Sequence, residues 1–182
     1  MFNRPVSVVR NPVITGNPQP YWITARTKVV MIGRLEPQKG FLIAPKLARL
    51  LPDHSFFIVG GGSQYRRIFM DSPPNLYMRS PCNFDEAMRW IATADIVLCP
   101  SEHESFGMVA AEACKLGKRV VATSVGSHGD YATVVVRPGA GAEDIAAAII
   151  KAGTESPRAY PETQESFVDR MSAIYEPQPE PL

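Results

Sequence analysis

Six short apolar runs, each trailed by a stretch with helical character, constrain this chain more than any other feature of it. They are KVVMIG from Lys28, SFFIVGGG from Ser55, NLYM from Asn75, DIVLCP from Asp95, KRVVAT from Lys118 and TVVVRP from Thr133. A strand that is apolar along its whole length has no face to give to water, so the sheet it joins must be covered on both sides. Regular alternation of such strands with helices implies parallel pairing through helical crossovers. The expected fold class is therefore α/β, a doubly wound parallel sheet of Rossmann-like type in a single domain. The intervening helices are predicted over 40–51, 63–70, 84–93, 106–117 and 143–152, with a last one near 161–175. Asn83 followed by Glu86 predicts a capping box at the start of the third of these.

The 182 residues suffice for one such domain, and 45% hydrophobic against 20% charged residues is ordinary for a packed core. Residues 1–26 carry Pro5, Pro12, Pro18 and Pro20 without helical period and read as an extended lead-in, a linker rather than a packed element. The domain is placed at 27–176, and the proline-rich end, 177–182, reads as a frayed tail. A net charge of +1 offers no global field for nucleic acid or an anionic membrane, so any anion has to be bound locally. Nowhere do 18 apolar residues run together, so no transmembrane segment is expected. Cys82, Cys99 and Cys114 form no CxxC pair, which points away from a disulfide framework or a zinc site and toward a reducing cytoplasm.

Ligands of doubly wound sheets bind beyond the carboxyl ends of the strands. Three loops there are informative. In GRLEPQKG, Gly33 ends a strand and Arg34 and Lys39 are expected at a helix N-terminus, a sensible phosphate cradle. A P-loop is excluded because Gln38 stands where its second glycine would be. In GGGSQY the dinucleotide fingerprint fails at Tyr65, although Gly61 and its neighbours permit a ligand to approach the backbone closely. In PSEHESFG, which leads into the helix over 106–117, Glu104 and Glu112 stand eight residues apart, a helical rise of about 12 Å. Two carboxylates at that distance can each accept hydrogen bonds from vicinal hydroxyls. The amides of Phe106, Gly107 and Met108 between them would face an anion at a helix start. His103 reads as a loop histidine without a chemical role, His54 as a solvent-exposed turn residue, and Arg66 and Arg67 as a solvated helix face.

Taken in order, RNPV, VVMIGRLEPQKG, FFIVGGGS, PNLYM, ADIVLCPSEHESFGMVAAEACKLGKRVVAT and VRPGAGAEDIAAAI resemble the C-terminal, donor-binding half of the retaining glycosyltransferases with the GT-B fold. This is the group 1 family related to glycogen synthase and to bacterial mannosyl and glucosyl transferases. The likeness covers about residues 8–152, and its signature is the E-x7-E motif at Glu104 and Glu112. The resemblance implies transfer of a hexose from a nucleotide sugar, a UDP-, GDP- or ADP-sugar, with no metal or other cofactor. Arg34 and Lys39 would stabilise the diphosphate, Glu104 would hold hydroxyls of the transferred sugar, and Glu112 the ribose. Arg79 would lie beside the nucleobase. Two departures from what the resemblance implies stand out: VGSHGDY replaces a glycine-rich turn with Pro-Glu, and 182 residues are not expected to have room for the N-terminal Rossmann half. A partner subunit or N-terminal half is accordingly expected to complete the enzyme. The alternative is a non-catalytic nucleotide-sugar-binding or regulatory module, because the binding residues would be the same. A sugar nucleotide epimerase is a rival of the same broad fold, and a dehydrogenase would need the glycine pattern that is broken at Tyr65.

Overall fold

The computed structural model describes residues 13–161. Six parallel strands lie in the order β3-β2-β1-β4-β5-β6: β1 (Thr27–Ile32), β2 (His54–Val59), β3 (Leu76–Arg79), β4 (Ile96–Cys99), β5 (Arg119–Thr123) and β6 (Val134–Val136). Between them come α1 (Ala44–Leu50), α2 (Tyr65–Met70), α3 (Phe84–Thr93), α4 (Met108–Lys115) and α5 (His128–Tyr131), and α6 (Ala142–Thr154) follows β6. The doubly wound α/β fold expected from the apolar runs is present.

The reason those runs are apolar through their centres is visible in the packing. Val29, Met31, Phe56, Ile58, Ile96, Leu98 and Val121 join one core with side chains of α1, α2 and α6. Their neighbours Val30, Phe57, Val59, Val97, Cys99, Val120 and Ala122 join a second core with α3, α4 and Tyr131 of α5. Successive residues point to opposite faces, and both faces are dry. The chain runs outward through β1, β2 and β3, then returns to the other side of β1 with β4. That reversal opens a crevice between the carboxyl ends of β1 and β4.

α3 begins as its sequence predicts: the Glu86 N–H donates to Asn83 Oδ1 at 2.9 Å, and the Asn83 N–H donates back to Glu86 Oε2 at 3.4 Å. The helix predicted from residue 40 starts four residues later. Pro37–Lys39 and Phe41–Ile43 form 3₁₀ turns around Gly40, whose φ of 71° breaks the helical path. The predicted helix over 106–117 likewise begins at Met108. α5 in the VGSHGDY turn has no counterpart in the sequence reading. The helix near 161–175, the tail 177–182 and residues 1–12 lie outside the described residues.

Residues 13–26 hold no helix or strand, yet they are packed, contrary to the reading as a bare linker. Val13 is buried and its carbonyl accepts from the Lys115 ammonium. The Tyr21 N–H donates to Thr93 Oγ1 at 2.8 Å, its ring lies 4.8 Å from Trp90, and the Arg89 guanidinium sits 4.1 Å above it. Two apolar anchors suffice to dock an extended strip on α3 and α4. Cys82, Cys99 and Cys114 form no disulfide with one another. No helix of the described residues is long and apolar enough to cross a membrane.

Candidate functional site

Three loops meet over the crevice and are tied by backbone. The Glu102 N–H donates to the Gln38 carbonyl at 2.9 Å, joining the loop after β4 to the loop after β1. The Thr123 hydroxyl donates to the Ser101 carbonyl at 2.5 Å, joining β5 to the same loop. Gly40 packs so closely on the Pro100 carbonyl that any side chain there would run into it. The floor is thus set by contacts to main-chain carbonyls of these loops.

Over this floor lies a cavity of about 270 Å³ whose wall includes Ile32, Lys39, Ser101, Glu104, Phe106, Gly107, Met108 and His128. Lys39 and Glu104 form an ion pair within it, their side chains only 23% and 16% exposed, and the Ser101 hydroxyl donates to the same Glu104 oxygen at 3.2 Å. Two residues 65 positions apart in sequence are brought together here. Lys39 reaches Glu104 from the end of a 3₁₀ turn, and Arg34 lies on an exposed loop outside this cavity, so neither stands at a helix N-terminus as the sequence suggested.

The helix start that does face the cavity is that of α4. Its first backbone bonds run from the N–H groups of Ala110 and Ala111 to the Gly107 carbonyl, at 3.1 and 3.2 Å. The amides of Met108 and Val109 precede them, and both residues line the cavity with Gly107. Such a terminus favours an anion. Because α4 begins at Met108, Glu104 belongs to the loop and the two glutamates are not joined by eight residues of continuous helix. They remain close enough that both charges act on the buried Cys99 thiol, which burial above all pushes up to about 12.

Glu112 lies on α4, 7% exposed, and among the described residues it has no hydrogen-bond or ion-pair partner. Burial raises its carboxyl from 4.5 to about 7. Glu112 lines neither the cavity of Glu104 nor the one that adjoins it, and its carboxylate is uncommitted to any described neighbour. A second cavity, about 310 Å³, adjoins the first at Ile32 and is walled by Gly33, Arg34, Gly60, Gly61, Pro81 and Cys82. Gly33 and Gly60 have φ near 150°, and a side chain on Gly60 would collide with the Gly33 carbonyl. The carboxylate of Glu36 accepts from the Ser63 hydroxyl at 2.6 Å and the Ser63 N–H at 3.0 Å, holding the first two loops together. Arg79 ends β3, exposed, with its guanidinium 6.0 Å from the Trp90 ring, and does not line this wall; Pro81 and Cys82 do.

His128 is the site residue that the sequence reading missed. It is 1% exposed, and its Nδ1–H donates to the Thr123 carbonyl at 3.2 Å. The turn before it presses on the Glu104 loop: a Cβ on Gly126 would fall 2.6 Å from the Ser105 carbonyl and 2.7 Å from that of Glu104. A histidine in a turn of unfamiliar sequence gave no periodicity to mark it. His103 is exposed, in keeping with a passive loop residue, and so are Arg66 and Arg67. His54 is half-buried at the start of β2 rather than solvent exposed, and burial lowers its pKa.

Gly107 joins the two halves of the wall. Its φ is 84°, and a Cβ there would lie 2.5 Å from His128 Nε2. Gly107→Ala is expected to destabilise the protein by about 1 to 3 kcal/mol, through a left-handed alanine and a displaced buried ring. Thermal unfolding checks this, and an unchanged midpoint would show that His128 can move aside freely.

Compared with known proteins, residues 26–154 match the family model described as Glycosyl transferases group 1. A D-inositol 3-phosphate glycosyltransferase of Mycolicibacterium gilvum is 37% identical over 111 residues, which are 54% of this chain and 24% of that protein. A glycogen synthase of Mycobacterium tuberculosis is 28% identical over 116 residues, 59% of this chain and 28% of that one. The chain thus spans less than a third of the length of these relatives. Among solved structures, S. aureus TarM in complex with fondaparinux, alpha-GlcNAc-glycerol and UDP superposes on 97% of this chain and 41% of its own, with a TM-score of 0.75 at 17% identity.

Proposed function

Because the chain belongs to the group 1 glycosyl transferases, we propose that the crevice holds the donor of a retaining hexosyl transfer, a UDP-, GDP- or ADP-sugar. The base takes the glycine-walled cavity beside Gly33 and Gly61, the ribose hydroxyls meet Glu112, and the diphosphate lies between Arg34, Lys39 and the start of α4. The sugar rests in the cavity of Glu104. The observation that carries the reading is the Lys39–Glu104 pair at the mouth of α4, in a cavity that shares Ile32 with the glycine-walled one. On this reading Glu112, the two cations with the start of α4, and Glu104 meet in turn the diol, the diphosphate and the sugar hydroxyls of a nucleotide sugar.

Charge that develops on the leaving diphosphate would be met by Lys39, Arg34 and the α4 amides, preorganised donors that need no reorientation during the reaction. No resident metal enters this scheme. Sugar transfer also needs the acceptor held in line and water kept away, which one face of a crevice cannot do alone. A second Rossmann-like domain, on the same polypeptide or a partner subunit, is therefore part of the proposal.

The test is calorimetry of the chain against UDP, GDP and ADP, with uridine, guanosine and adenosine beside them; UDP comes first because the S. aureus relative is a UDP complex. A diphosphate is expected to bind well below millimolar and its nucleoside far more weakly. Absence of binding by all three diphosphates at millimolar concentration would sink the reading. A chain that binds donor and stays inert with every acceptor and partner domain tried would instead favour the regulatory module.

A further inference from the structure

His128 is built into the cavity wall in a way that the ion pair beside it does not explain. A carbonyl oxygen can only accept, so the bond between Nδ1 and Thr123 puts the ring proton on Nδ1. Burial lowers the ring's pKa, with Glu104 and the Thr123 carbonyl pulling it upward and Lys39 downward. The neutral ring then carries a lone pair on Nε2. That atom lies on the edge of the ring turned toward Gly107, in the wall of the same cavity as Glu104 and Lys39. No N–H or O–H of the described residues donates to it. In a residue that is 1% exposed yet lines the cavity, an acceptor without a donor is open to a ligand group that brings one.

We infer that His128 reads the transferred sugar, its Nε2 accepting a hydrogen bond from a hydroxyl of the hexosyl group. This rests on the donor-site reading above and goes beyond it by naming a specificity residue. The choice of ligand group follows from donor and acceptor chemistry. A diphosphate offers only acceptors and leaves the lone pair unsatisfied, whereas a sugar hydroxyl donates. Glu104 already accepts from Lys39 and Ser101, so His128 supplies the cavity with an uncommitted acceptor fixed in direction. A site that hydrogen-bonds a hydroxyl rejects sugars that lack it more strongly than shape alone would. The turn that carries His128 therefore sets which sugar is accepted, while the loops after β1 and β4 hold the nucleotide.

The experiment measures UDP-glucose, GDP-mannose and ADP-glucose, each beside its free diphosphate, on wild type and His128→Phe. Phenylalanine keeps a ring against Gly107 and removes the acceptor. Expected is a roughly 10-fold loss of affinity for the sugar nucleotide and less than about 2-fold for the free diphosphate. Equal losses for both, or no loss for either, would overturn the inference. Since position 128 is buried and the variant can fail to fold, the wild-type protein supplies a second measurement, nitrogen NMR of its imidazole rings. The His128 Nε2 resonance should move on adding the sugar nucleotide and stay in place on adding the diphosphate; a still resonance, or the same shift with both, overturns the inference. If wild type binds a diphosphate and the attached sugar changes neither affinity nor resonance, the donor-site reading stands and the role of His128 falls. If it binds none of the six ligands, both fall.

Discussion

Lys39→Met is expected to weaken binding of the cognate nucleoside diphosphate by about 10- to 100-fold, the loss that goes with one charge-assisted contact to phosphate. Nucleoside binding should hardly change. Arg34→Ala should cost less, because Arg34 is exposed and its charge is shared with solvent. Lys39 also neutralises Glu104, whose side chain is only 16% exposed. Removing the lysine alone leaves that carboxylate with the Ser101 hydroxyl as its remaining partner, and about 1 to 3 kcal/mol of stability should go with it. Adding Glu104→Gln to Lys39→Met should restore much of the stability and none of the diphosphate affinity. That pattern separates folding from binding by a double-mutant cycle. Equal losses for diphosphate and nucleoside would place the nucleotide elsewhere.

Glu112→Gln is expected to act in opposite directions on stability and on binding. Burial holds the Glu112 carboxyl near 7 in the folded protein against about 4.5 in the unfolded chain. Between those pH values the folded state keeps a proton that the unfolded state has released, so this group costs stability progressively as pH rises from about 4.5 to about 7. The full cost is present above 7 and absent below 4.5. A gap of this size corresponds to about 3 kcal/mol. The glutamine amide has its own desolvation cost, so the variant should be more stable at pH 8 by about 1 to 3 kcal/mol and no more stable at pH 4.5. In the same variant, affinity for the diphosphate at pH 8 should fall about 10-fold, because the charge-assisted acceptor for the ribose hydroxyls is gone. For wild type, nucleoside affinity should rise with pH through about 7, and Glu112→Gln should flatten that rise. Denaturant titrations at the two pH values and calorimetry across pH 6 to 8 check each part. A variant that binds like wild type would remove Glu112 from the ribose.

On the proposed reading, Glu112 is stability given up for a site. α4 is otherwise alanine, valine, methionine and cysteine up to its last residue, Lys115, and it keeps one buried acid at Glu112, unpaired among the described residues. Glu104 differs in kind. Its charge is matched in advance by Lys39, so on the proposed reading ligand binding there would trade one partner for another.

The sheet was legible from the residues alone. Val29–Val30–Met31 and Phe56–Phe57–Ile58–Val59 can only be strands with two covered faces, and the spacing of helices between them left one kind of winding. The residues also marked the α3 cap at Asn83 and the two loops that carry Lys39 and Glu104, since Gly, Pro and charged residues clustered just past strand ends are read locally. What the tertiary structure decided is how those loops meet. Gly40, with its left-handed backbone against the Pro100 carbonyl, turned the predicted start of α1 into 3₁₀ turns and swung Lys39 onto Glu104. The docking of Val13 and Tyr21 depends on α3 and α4 being in place beneath them. His128 entered the site only because the turn after β5 stacks on the loop after β4, through the bare backbones of Gly107 and Gly126. Periodicity reports a residue's own element, and contacts between loops far apart in sequence leave no period to read.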